Sequence, residues 1–498
     1  MQDSEWLDAF DERLENITEE WMRARWADFT HESGPGVGAL QRERGALLTD
    51  GGTRQRLASL RARDLDERTR RRVDVLERVV LQATIDGDPE IAGLSEEIQS
   101  GHIVPFQPVV DGELLSRTAV RQRIRLDPDR ERRRAAMLYR EPLGVRVGPL
   151  VRRLARLRND RARALGFSDF VDLRLHVDRM DRSWYDATMA AVEQRTEKLW
   201  AGRLAELRRV LGHEPAAHDL DFAMEALAGE NVDDRFPLTE HAQRTRALAH
   251  AVGFDERVND IVVRIEDIPY GGLEMPIAIP EDVRILVNPP DGFDGLHTVV
   301  HEFGHCVHAR YNAQRGDLLQ RNEPGHFNEA VAEILGHFVL RPEYLERHSE
   351  LPATTRAALV AKSVRGDFGR WLLVSAGLEL ALYADPDGDL EGYARAAERR
   401  ILGVDTETTH SWAADAFLIE YPVYKHAYLV ADMVAAQASA SFTERYGTVY
   451  DPRVARDLIA HVCAPGNLVD WDVKIARLTG RPLSVDAWIR ELEAGAAL

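Results

Sequence analysis

Apolar residues recur along most of this chain at the spacing of helix faces. Trp6 to Phe29 places them between acids and arginines, and Leu154 to Leu165, after Pro149, does the same. The stretches Asp181 to Leu211, Arg356 to Tyr383 and Tyr424 to Phe442 are further long helical predictions. Strand-like text is scarce. It is concentrated in 258–290, where Ile261-Val-Val-Arg-Ile-Glu and Val283-Arg-Ile-Leu-Val are β-branched and bounded by Gly/Pro-rich turns. There is no internal repeat, low-complexity tract or long Ser/Gly linker. The pattern predicts a helix-dominated body with one small sheet just ahead of the most informative segment.

Composition narrows the classes of function. The chain has 498 residues, 44% of them apolar and 30% charged, in the range of globular proteins. Length alone suggests about three domains. The formal charge of −19 argues against a general nucleic-acid binder, whose affinity comes from neutralising phosphates. The arginine clusters Arg70–Arg72 and Arg130–Arg134 sit among acids and read as solvated helix faces. Two cysteines, Cys306 and Cys463, cannot staple a chain this long, which fits a reducing compartment. No basic-then-apolar leader and no long apolar run is visible, so the expectation is a cytoplasmic protein with no membrane partner.

The chemistry is concentrated in His301-Glu302-Phe303-Gly304-His305. On a helix the residues at i and i+4 share a face, so both imidazoles reach one ion. Glu302 follows the first ligand by about 100° of rotation, beside the ion rather than on it, where it can take a proton from water. Gly304 in mid-helix costs about 1 kcal/mol relative to Ala, a cost understood where something approaches the backbone closely. A hydrolytic zinc site takes three protein ligands and an open position. Gly325-His-Phe-Asn-Glu-Ala-Val-Ala-Glu supplies the third, Glu329, far enough beyond His305 for a second helix to return antiparallel. Glu333, one turn further, is suited to accept the other N–H of a ligand histidine. His297, His308, His326 and His337 read as structural histidines, and Cys306 as a small buried side chain off the ligand face.

With these residues in hand, the chain resembles the gluzincin zinc peptidases of the angiotensin-converting-enzyme and thimet-oligopeptidase (neurolysin-like) type. His301-Glu-Phe-Gly-His305 is similar to the thimet form of the motif, and the placement of Glu329 and Glu333 to the angiotensin-converting-enzyme form. Leu154-Ala-Arg-Leu-Arg-Asn-Asp-Arg-Ala-Arg and the closing Leu478-Thr-Gly resemble further family stretches, and the Trp6–Trp26 helix resembles the family's lid. The resemblance implies a mainly α, two-lobed helical ellipsoid with a deep channel, one zinc ion per chain on its floor, and a small β-sheet near the zinc helix. It implies a single peptidase unit over 1–498, with a lid and helical lobe in 1–265 and a zinc-binding catalytic lobe in 266–498.

Tyr421-Pro-Val-Tyr424 resembles the family's tyrosine pair, in which the second hydroxyl faces the scissile carbonyl and the first binds substrate. Tyr270-Gly-Gly-Leu-Glu-Met-Pro, with Gly272, stands where the family has a substrate-aligning edge strand, and His410 near a substrate-binding loop histidine. Departures limit the transfer. Gly271, Trp412, Ala414 and Val423 replace the carbonyl-binding histidine, the two carboxylate-holding residues and the chloride-linked arginine of angiotensin-converting enzyme. Lys425 is then the obvious candidate to check for capture of a substrate carboxylate, the alternative being a solvent-facing lysine. The carboxypeptidase-Taq type has similar length and fold, but its His-Glu-Ser signature is absent.

The expected function is a zinc metallopeptidase, an oligopeptidase or peptidyl-dipeptidase, hydrolysing short peptides through a zinc-activated water. The alternative keeps the zinc site but acts on a modified amino acid or natural-product intermediate. A scaffold that lost its chemistry is disfavoured, because ligands, base and tyrosine occur together.

Overall fold

The computed structural model describes residues 3–34, 36–228, 232–266, 268, 271–288, 292–363 and 367–496. Tyr270 and Pro290 lie outside them. The mainly helical class expected from the sequence is the class observed. The first helix runs Asp3–Phe29, and its Leu7, Phe10, Leu14 and Ile17 recur at helical spacing on a buried face. Asp181 caps the helix Arg182–Leu211 by accepting the Trp184 N–H at 2.8 Å, and left-handed Gly212 (φ 72°) ends it. Among the described residues, no helix is long and apolar enough to cross a membrane.

Two boundaries differ from expectation. The helix expected from Leu154 begins earlier, at Glu141, and runs through Pro149 to Ala164. Leu143, Val147, Val151, Leu154 and Ala155 keep one buried face on both sides of the proline, so burial outweighs the lost backbone bond. The stretch Arg356–Tyr383 divides into helices Ala353–Ser363 and Arg370–Ala384. Phe368 and Gly369 before the second both adopt positive φ, which a helix cannot carry.

The chain forms two compact units. The first comprises Met1–Gly87, Asn231–Ser349 and Val430–Trp488. Its three-stranded sheet has Asp282–Val287 in the centre, parallel to Val262–Ile265 and antiparallel to Gly272–Ala278, so the last two are edges. Met275, Ile277 and Leu286 form a buried cluster with Trp26 of the first helix. The second unit comprises Asp88–Glu230, Glu350–Leu429 and Ile489–Leu498. Its long helices are tied by buried Arg158, which donates to the carbonyls of Leu418 and Ile419 and to the Tyr383 hydroxyl. A two-stranded pairing, Val109–Val110 with Glu113–Leu114, is a small element the sequence pattern did not predict.

Candidate metal centre

Both metal-binding segments fold as helices of the first unit: Phe293–Arg310 carries the motif and Gly325–Val339 carries the two acids. The glycine in the motif permits their contact. A Cβ on Gly304 would stand 2.7 Å from Ala332 Cα, so the helix backbones meet where no side chain fits. One turn of helix brings the His301 and His305 rings edge-on, with centroids 5.0 Å apart. One ligand atom from each of His301, His305 and Glu329 lies within 4.8 Å of the other two.

The surrounding bonds orient this group. His301 Nε2 faces Glu329 Oε2 at 3.1 Å, and its Nδ1 lies 2.9 Å from Glu333 Oε2. Glu333 thus takes the nitrogen of His301 that points away from Glu329. Its other oxygen lies 3.3 Å from His297 Nε2 and 3.5 Å from His337 Nδ1, so two of the histidines read as structural support this acid. His326 packs edge-on against Trp471 and His308 against Phe327. Cys306 is buried, with its Sγ 3.4 Å from the Arg284 carbonyl.

The electrostatics suit an added cation. Burial opposes charge on His301, yet the carboxylates of Glu329 and Glu333 overcome it and raise its pKa well above the ordinary value. The pocket between these acids therefore demands positive charge. Burial pushes His305 down to about 4, leaving the neutral imidazole that ligates metals. Buried His305 Nδ1 has no hydrogen-bond partner among the described residues. Burial also tends to raise Glu333, but His297, His301 and His337 hold it well below the usual carboxylate range. Donor set, spacing and charge all fit a divalent ion such as zinc.

Glu302 lies beside this group. Burial first, and then the charges of Glu329 and Glu274, push its carboxyl up to about 7, against the pull of His301 and the Glu274 backbone N–H it accepts. Gly272 makes room for it, since a Cβ there would stand 2.2 Å from Glu302 Cγ and 2.7 Å from its Oε1. We expect Gly272→Ala to displace this carboxylate and lower kcat by about 10²-fold with zinc content unchanged; steady-state kinetics and metal analysis check both.

Gly272 belongs to the edge strand Gly272–Ala278. Leu273, Met275 and Ile277 face the Trp26 cluster, so Gly272, Glu274 and Pro276 share the opposite face. Pro276 has no N–H to give the paired strand, so its backbone faces the free edge. Antiparallel alternation turns the backbone groups of Gly272 and Glu274 the same way, consistent with the Glu274 N–H reaching Glu302. Beyond them Arg321 donates to the carbonyls of Pro276 and Ile277. Sequence reasoning assigned nothing to Glu274 or Asn328. The Asn328 amide acts electrostatically on both Glu274 and His305. Strand alternation out of Gly272 was the signal available for Glu274.

Tyr421, Tyr424, His410 and Lys425 belong to the second unit. Tyr424 lies ahead of the helix His426–Tyr446, with its ring 5.9 Å from Tyr421, which is 41% exposed. The expected carboxylate-binding lysine is engaged locally. Lys425 Nζ lies 3.1 Å from Asp415 and 3.7 Å over the Phe417 ring. The His410 loop is clamped by Glu141, which accepts the N–H groups of Thr409, His410 and Ser411. Val423 adopts φ 58°, a strained value for a β-branched residue. Buried Glu379 accepts the N–H groups of Val423 and Lys425, on either side of Tyr424, and so holds this turn.

Burial and then Asp415 push Glu379 up to about 8, although Lys425 and the two N–H bonds oppose them. A folded pKa above the unfolded one contributes stability that is complete below about 4.5 and lost as pH rises through about 8. The thermal midpoint of the wild type should therefore fall, relative to Glu379→Gln, between those values; parallel profiles would contradict this.

No protein-family model matches the chain. No curated protein matches it either. Among solved structures it is similar to an M32 carboxypeptidase from Deinococcus radiodurans R1, with a TM-score of 0.68 over 100% of this chain and 99% of that one, at 14% identity. The likeness is one of fold.

Proposed function

We propose that this protein is a zinc-dependent metallopeptidase that hydrolyses peptide bonds of short peptides. The observation that carries the reading is the convergence of His301, His305 and Glu329, with Glu302 alongside and Glu333 behind His301. The fold likeness to a carboxypeptidase supports the same class of reaction. His301, His305 and Glu329 would hold the ion, which when bound supplies a Lewis acid that acidifies water and polarises a carbonyl.

The chain's own residues do the rest. Glu302 takes a proton from the attacking water on its carboxylate and delivers it to the leaving amine nitrogen. Gly272, with no Cβ, leaves that carboxylate its place beside the strand. The free edge at Gly272 and Glu274 offers backbone groups to an extended peptide. The sequence resemblance gives Tyr424 the part of an oxyanion donor, and Tyr421 and His410 that of substrate-binding residues.

The test is a mixed peptide library presented to the protein with graded zinc and followed by mass spectrometry. Cleavage should rise in proportion to bound zinc up to one per chain. A fully loaded protein that cleaves no peptide would overturn the proposal.

A further inference from the structure

The edge strand carries a carboxylate that the reaction above does not use. Glu274 is on the Glu302 face, two residues from Gly272, and the Asn328 amide acts on its carboxyl. No lysine or arginine among the described residues forms an ion pair with it. Arg321, the cation that acts on it electrostatically, spends its guanidinium on the carbonyls of Pro276 and Ile277 and on Asp317. The neighbouring charges that act on this end of the strand include the like charges of Glu302 and Glu329.

An extended peptide paired with this edge places the side chain opposite Glu274 on the same face, with Cβ atoms about 5 Å apart. A neutral or acidic group there leaves the carboxylate without a counter-charge, whereas a cation completes it. We infer that Glu274 selects peptides that bring a positive group, an ammonium or a guanidinium, to the position paired with it on the edge strand. This rests on the peptidase reading and names its substrate class. The same cation can come from a Lys or Arg side chain or from a free peptide N-terminus.

The experiment uses acetylated, amidated hexapeptides with Lys, norleucine or Glu at each position in turn, alongside unacetylated norleucine parents. The wild type should show a kcat/KM ratio of Lys to norleucine of roughly 10–100 at one position, the range of a hydrogen bond to a charged group. Glu274→Gln should collapse that ratio to near 1, and Glu274→Lys should shift preference toward Glu. A preference confined to the unacetylated parents, and lost in Glu274→Gln, supports selection of the free N-terminus instead of a side chain. A ratio near 1 everywhere in the wild type, or one unchanged in both variants, overturns the inference.

Binding separates this from failure of the peptidase reading. Calorimetry with zinc-loaded Glu302→Gln compares Kd for the Lys and norleucine peptides, with and without Glu274→Gln. If no peptide is cleaved yet Lys is bound tighter in a Glu274-dependent way, the cation site stands and the hydrolysis does not. Equal binding of both peptides, or none, overturns the cation site itself.

Discussion

Glu302→Gln is expected to lower kcat on a cleavable peptide by about 10²–10⁴-fold, the range that a positioned proton-transfer group contributes. The replacement keeps the shape that Gly272 accommodates but cannot take up a proton. Because His301, His305 and Glu329 are untouched, the variant should bind zinc as the wild type does. KM should change little, since the missing step follows binding. Steady-state kinetics with metal analysis on the same preparation gives both numbers. A loss of less than tenfold at full zinc occupancy would remove Glu302 from the reaction.

His305→Ala should abolish zinc retention. Loss of an outer hydrogen-bond partner costs about 10–100-fold in metal affinity, and removing a ligand nitrogen costs more. It also leaves Glu329 and Glu333 facing His301 with no added cation to balance them. Metal analysis after dialysis should fall from one zinc per chain to none. The thermal midpoint supplies an independent reading. Zinc at about 100 times its Kd stabilises the fold by roughly 2.7 kcal/mol, so a chelator should lower the wild-type midpoint and leave that of His305→Ala unmoved. A variant that keeps stoichiometric zinc would overturn the ligand set.

The centre was legible because its logic is local. The spacing of His301, Glu302 and His305 on one helix, and of Glu329 and Glu333 on the next, fixes which side chains share a face. Even the mid-helix Gly304 announced a close approach, and Ala332 is what approaches. Features that depend on another element were not legible. Glu379 and Val423 are far apart in sequence, and only folding brings the carboxylate to the Val423 N–H. Glu274 gained meaning from the strand's pairing partner, and the contacts of Lys425 with Asp415 and Phe417 appear only in the folded chain. The helix start at Glu141 and the break at Phe368 and Gly369 were set by burial and positive φ rather than by the apolar pattern. At 14% identity to the solved carboxypeptidase, these few positions, not overall similarity, are what sequence offers.

The edge at Gly272–Ala278 also bears on solubility. An unpaired strand invites other chains to add on without limit, and proteins blunt such edges with proline, charge and brevity. Here Pro276 lacks a donor, Arg321 covers the carbonyls of Pro276 and Ile277, and Glu274 adds a charge. What stays open is a docking length of about one dipeptide repeat, too short to template a growing fibril. The strand proposed to dock peptides is thereby kept from recruiting its own kind.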